Sequence, residues 1–177
     1  GIMTRTKSIL CPVDFSECSR HALDCAVRLA WLNEARLVVL HVFAHWPAVD
    51  VVPSLQHESP GVSLKDVDRD VLKRFLQEFV KTQLHEEVES DLCVIEAPEV
   101  DREILAQAEA TSAGLIVIGS HGRSDFGRWL LGSTAEKVLR HAQCPVMVVP
   151  QHADLALWDS SSSRARRRTP APIREIQ

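Results

Sequence analysis

Residues 119–134, GSHGRSDFGRWLLGST, place four of the chain's seven glycines within fourteen positions. They stand between the apolar run Leu115–Ile118 and a helix-like stretch. Glycine loses the most backbone freedom on folding, so such a concentration needs a reason. Gly119 comes first past the strand-like run, Gly122 three residues on, and Gly132 directly before the helix. Between them backbone N–H groups can face a ligand without side chains in the way. Unpaired N–H groups at a helix start carry partial positive charge and suit a phosphate. Ser133 and Thr134 add hydroxyl donors at the same end, or serve as plain helix caps. Arg123 and Arg128 either neutralise phosphate charge or stay solvated. His121 is of the residue type that most often serves as acid or base, but the sequence places no carboxylate or nucleophile beside it, so no catalytic residue is assigned. The stretch lacks the Gly-Lys-Ser/Thr of a P-loop and the spacing of Gly-x-Gly-x-x-Gly.

The surrounding sequence reads as strand and helix in strict alternation. Ser8–Val13 is a buried strand, followed by a turn at Asp14-Phe15-Ser16. Ser16 is a good N-cap for a helix whose apolar face is Ala22, Cys25, Ala26 and Leu29. Ala35–Phe43 is a second strand, apolar nearly throughout, as in a sheet covered on both faces. Residues 44–62 contain Pro47, Pro53, Pro60 and Gly61 and read as a long loop. A helix is expected from Ser63 to about Val88, with Ser63 and Asp66 as cap and partner. Leu92–Ile95, Leu115–Ile118 and Pro145–Val149 are the remaining strands, and Val100–Thr111 and Ser133–His141 the remaining helices. The alternation argues for a parallel α/β sheet with right-handed crossovers, and the fold expected is five strands in the order 3-2-1-4-5 with helices on both faces. In such a sheet ligands bind beyond the carboxyl ends of the strands, where the order switches direction.

The whole chain has 177 residues, 45% hydrophobic and 25% charged, the balance of a soluble globular protein with one domain. The apolar runs are strand-length, so no membrane span is expected. No signal peptide is recognisable, and Gly1-Ile2 before Met3 read as a cloning remnant. Cys11, Cys18, Cys25, Cys93 and Cys144 match no zinc spacing and sit among apolar residues. They are expected to be reduced core residues of a cytoplasmic protein. The net charge of −4 conceals an asymmetry: residues 160–177 carry +4 and the remainder −8. An acidic body with a short basic tail is unlike a nucleic-acid-binding domain. Residues 151–177 combine a serine run, an arginine cluster and prolines, and are expected to be a largely disordered extension of a 7–150 domain. Leu155, Leu157 and Trp158 are candidates to dock on the body.

Gly119-x-x-Gly122, nine residues, then Gly132-Ser133 resembles the nucleotide-binding signature of the universal stress protein family. Pro12-Val13-Asp14-Phe15-Ser16 after the first strand, His41-Val42 at the end of the second, and the closing VLRHAQCPVMVV are similar to that family too. The likeness covers roughly residues 7–150. It implies a Rossmann-like adenine-nucleotide-binding fold, ATP as ligand with Mg2+ or Mn2+ held mainly by the phosphates, and a homodimer. By the same resemblance Asp14 faces the ribose, Pro12 and Val13 lie beside the nucleoside, and Val42 meets adenine with its backbone. Gly119, Gly122, Gly132, Ser133 and Thr134 would line ribose and phosphates, with Ser120, His121 and Arg123 in the same loop. No protein ligand to the metal is assigned. Glu96-Ala97-Pro98 stands where relatives often carry a glycine, and Gly114 where many carry aspartate.

The function expected is an ATP-dependent regulatory or stress-response protein, dimeric through residues 145–149. Slow ATP hydrolysis or autophosphorylation is the enzymatic alternative, although no Walker lysine, base or carboxylate pair is evident. A nucleotide-free dimeric interaction module is the other. The fifth strand is an apolar edge that must be paired or covered, either by its own copy or by Leu155–Trp158. Trp129, Leu130 and Leu131 are expected to pack, His41 to be a core or supporting residue, and Gly127 only to relieve the loop.

Overall fold

A computed structural model describes residues 8–44, 69–84, 87–122, 131–154 and 174–175. The strands are β1 (Ser8–Pro12), β2 (Leu37–Phe43), β3 (Ser90–Glu96), β4 (Ala113–Gly119), β5 (Val146–Val149) and the two-residue β6 (Arg174–Glu175). The helices are α1 (Glu17–Asn33), α2 (Arg69–Val80), α3 (Val100–Ala110) and α4 (Ser133–His141). All pairings are parallel and the sheet order is β5-β4-β1-β2-β3-β6. The expected order 3-2-1-4-5 is therefore present, with β6 added outside β3.

Alternation along the strands splits the core in two. Ile9, Cys11, Val39 and Val117 face α1 and α2, whereas Leu10, Val38, Leu40 and Ile116 face α3 and α4. Apolar residues on both faces of β1 and β2 make these strands nearly continuous hydrophobic runs, as the sequence required. Four of the five cysteines are buried and all are free thiols. Burial pushes the Cys11, Cys25 and Cys93 thiols up from their ordinary range, so they act as small core hydrophobes.

Ser16 caps α1: its hydroxyl accepts from the Ser19 N–H at 3.1 Å. The helix ends at Glu34, whose left-handed backbone (φ 53°) returns its N–H to Ala30 and Trp31. The helix expected to reach Val88 stops instead at Val80. Gln83 and Leu84 both donate backbone N–H groups to the Val80 carbonyl, closing a turn. Leu84 from that turn and Val88 beyond it continue the apolar four-residue spacing because both pack on the core. A periodic pattern alone does not distinguish the two cases. The beginning of that helix, residues 45–62 of the expected loop and the Leu155–Trp158 segment lie outside the described residues.

At the amino end of β3 the buried Asp91 carboxylate is paired with the Nε of Arg36, which is itself 42% exposed. Removing the cation leaves a buried carboxylate without its ion pair, partly screened because Arg36 borders water. Arg36→Ala is expected to lower unfolding free energy by about 2 kcal/mol, read from urea denaturation.

Candidate functional site

The strand order reverses at β1, which lies between β4 and β2. Sequence details open the crevice there. Val13 donates its N–H to Leu40, toward β2, so alternation turns the nitrogen of Pro12 toward β4. Proline has no N–H to give. The β1–β4 pairing accordingly ends at Leu10↔Ile116, while β1–β2 pairing runs on to Pro12↔Leu40. The two strands part where the chain reaches Asp14.

Asp14 forms a local turn. Its Oδ1 accepts from the Ser16 N–H at 3.0 Å and from the Ser16 hydroxyl. Between them Phe15 has φ 65°, a left-handed conformation that costs a bulky residue about 1–3 kcal/mol. Its ring is held by aromatic neighbours, with centroids 4.3 Å from His41, 4.8 Å from Phe75 and 5.4 Å from Phe79. His41 is buried and its Nδ1 lies 2.8 Å from the Val13 carbonyl oxygen. It is thus the supporting residue expected, bracing the segment that presents Asp14. Phe15 escaped notice because its role depends on a backbone angle and on α2.

The glycine-rich stretch meets this turn. A Cβ placed on Gly122 would stand 3.0 Å from Asp14 Oδ2. A Cβ on Gly119 would instead stand 3.0 Å from Cys18 Sγ and 3.1 Å from the backbone carbon and oxygen of Cys18. Gly119 lets the first turn of α1 lie directly on the end of β4. The two glycines, read alike from sequence, stand against different neighbours, Gly119 against α1 and Gly122 against Asp14.

Both ends of the loop are fastened. The Ser120 N–H donates to Val149 at 2.8 Å, and the Gly132 N–H donates to the Ser120 carbonyl at 2.7 Å. Gly132 begins α4 without any side-chain cap, leaving Ser133 exposed and Thr134 half-buried at its first turn. The N-terminal N–H groups of a helix have no carbonyl partner within the helix. On the other side of the crevice, Leu40 points its carbonyl to β1, and the same alternation turns the peptide groups of Val42 that way. By Val42, β1 has already ended. Pro12, Val13, Asp14, Val42, Gly119, Ser120, His121, Gly122, Gly132, Ser133 and Thr134 therefore cluster at the carboxyl ends of β1, β2 and β4 and the start of α4. Arg123, Gly127, Arg128, Trp129 and Leu130 lie outside the described residues, and Leu131 packs against the α3–α4 side of the core.

One relation was missed in the sequence although the residues are adjacent. The Ser120 hydroxyl lies 2.8 Å from His121 Nδ1, and Cys18 Sγ lies 3.6 Å from the same hydroxyl. A nucleophile-type hydroxyl thus does stand beside the histidine. Among the described residues no group of three His, Cys, Asp or Glu side chains is placed to hold a metal ion. No described helix is long and apolar enough to cross a membrane.

Comparison with known proteins gives one family. Residues 5–150 match the sequence profile of the Universal stress protein family. Among relatives, Universal stress protein MJ0531 of Methanocaldococcus jannaschii is 32% identical over 145 residues, covering 81% of each chain. Universal stress protein YxiE of Bacillus subtilis is 33% identical, covering 80% of this chain and 97% of its own. Among solved structures, the universal stress protein UspA from Lactobacillus plantarum superposes with a TM-score of 0.59 at 29% identity, over 82% and 99% of the two chains. Two more distant structures share the fold. One, a universal stress protein in complex with cAMP, has a TM-score of 0.56 at 18% identity and covers 84% of this chain and 99% of its own. The other, from Archaeoglobus fulgidus in complex with dAMP, has a TM-score of 0.54 at 19% identity and covers 82% and 99%.

Proposed function

Because the chain belongs to the universal stress protein family, we propose that it binds ATP at the β1–β4 crevice and acts as a nucleotide-dependent regulator. The observation that carries this reading is the approach of Gly122 to Asp14 across the crevice, 3.0 Å from a built Cβ to the carboxylate. A side chain at residue 122 would fill the space between the two loops. The uncapped start of α4, with Ser133 and Thr134, offers N–H and hydroxyl donors to phosphates. Asp14 would accept from ribose hydroxyls, and the Val42 backbone would meet the adenine edge. Mg2+ or Mn2+ would neutralise the phosphates and be held mainly by them. The adenine nucleotides in two proteins of the same fold support the ligand class.

Ligand binding would favour one of two conformations or surfaces and so report cellular nucleotide state to a partner in the cytoplasm during stress. The dimer would form through β5, an edge strand with Val146, Met147 and Val148 only half-buried. The domain of residues 7–150 would carry all of this.

Acid extraction of the purified protein and chromatography of the extract should release an adenine nucleotide, and calorimetry with Mg-ATP on stripped protein should give saturable heat. An empty extract and no heat would leave the nucleotide-free interaction module as the reading. The Ser120–His121 contact favours one enzymatic variant, slow transfer of the γ-phosphoryl group to Ser120 while His121 takes its proton. ATP labelled at the γ-phosphate, left on the protein after denaturation or not, separates that variant from simple binding.

A further inference from the structure

β3 lies outermost of the five main strands, yet Ser90 through Val94 are all buried. Its partner on one side is β2, along the whole strand. The carbonyl of Glu89 and the N–H of Ala97 both bond to β2, so alternation turns the backbone groups of Leu92 and Val94 to the outer side. Two devices occupy those groups. Arg69, the first residue of α2, donates its Nε–H to the Val94 carbonyl at 3.0 Å. Nearer the start of β3, Arg174 and Glu175 pair in parallel with Asp91 and Leu92. A shallow groove between α2 and β3, floored by Leu76, Leu92 and Val94 and rimmed by Lys73 and Gln77, runs alongside.

An unpaired strand edge is a template for any extended chain, and proteins cover or blunt it. Arg69 blunts this one beyond Leu92, which limits the register an added strand can take. The family match ends at residue 150, so the covering strand comes from outside the shared domain. We propose that the outer edge of β3 is a strand-acceptor surface whose occupant is this chain's own C-terminal segment, docked by parallel β-addition. Main-chain hydrogen bonds give such docking its affinity. The segment acts as a latch that fills the β3 edge in cis. This does not depend on nucleotide binding.

The test uses the full chain and residue-resolved amide exchange. In the native protein the Leu92 amide should be protected, independently of protein concentration. The double variant R174P/E175P removes both backbone N–H groups of β6. It should exchange about tenfold or more faster at Leu92, while Val39 and Val117 amides in the centre of the sheet stay unchanged. A synthetic peptide of residues 170–177, added in excess to the variant, should restore Leu92 protection. Unchanged exchange at Leu92 in the variant would show that the latch does not exist. Protection that disappears on dilution would assign the edge to a second copy instead, and a peptide without effect would refute the acceptor surface.

Discussion

Gly122→Val should weaken Mg-ATP binding by about a hundredfold or more, roughly 2.7 kcal/mol, while changing thermal stability little. The two halves of this expectation have separate causes. Gly122 is exposed, so no core contact is lost or overfilled on substitution. Its Cβ position, however, is 3.0 Å from Asp14 Oδ2, and valine adds two methyl groups beyond it. Asp14 cannot simply swing aside, because its other oxygen holds both the N–H and the hydroxyl of Ser16. The branched side chain would therefore occupy the crevice and desolvate the Asp14 carboxylate proposed to meet the ligand. Calorimetry on folded variant and native protein measures the ratio directly. Equal affinities in the two would remove the site from this crevice.

Gly119→Ala should do the reverse, lowering unfolding free energy by about 1–3 kcal/mol through overpacking. For a chain of this length each kcal/mol corresponds to about 2–4 °C in Tm, so the loss is readily seen by calorimetric melting. The added methyl group meets Cys18 at 3.0 Å on sulfur and 3.1 Å on two backbone atoms. Sulfur can be removed, but the backbone of the first turn of α1 cannot. The double variant Gly119→Ala, Cys18→Ala should thus recover only a minor part of the loss, measured as a coupling in a double-mutant cycle. Full recovery would show that the helix itself is not pressed against β4. No loss at all would mean that α1 can shift freely.

This contrast marks a limit of reading glycines from sequence. Gly119 and Gly122 belong to one motif, and the sequence alone suggests one role for both, ligand contact. Only the packing of α1 on β4 shows that the first has a structural reason of its own. The same holds for His121, set apart from catalysis for want of a neighbour. Ser120 was next to it all along, but whether adjacent side chains meet depends on rotamers that the neighbouring backbone decides.

What the sequence determined by itself was set by local and periodic physics. Apolar runs of strand length, alternating with helical spacing, fixed a parallel α/β sheet, since both faces had to be buried. Ser16 announced the start of α1 through its capping hydroxyl. The spacing of Gly119, Gly122 and Gly132 pointed to the crevice at the strand ends. The tertiary structure alone decided which residues hold that crevice in shape: Phe15 in its left-handed turn, His41 beneath Val13, Cys18 against Gly119. It also decided that Leu84 and Val88 pack from beyond the end of α2, and that Arg174 and Glu175 pair with β3. Each of these is a contact between residues distant in the chain or a backbone angle sustained by such contacts. Periodicity reports which side of an element is apolar, but not what the opposite surface will be.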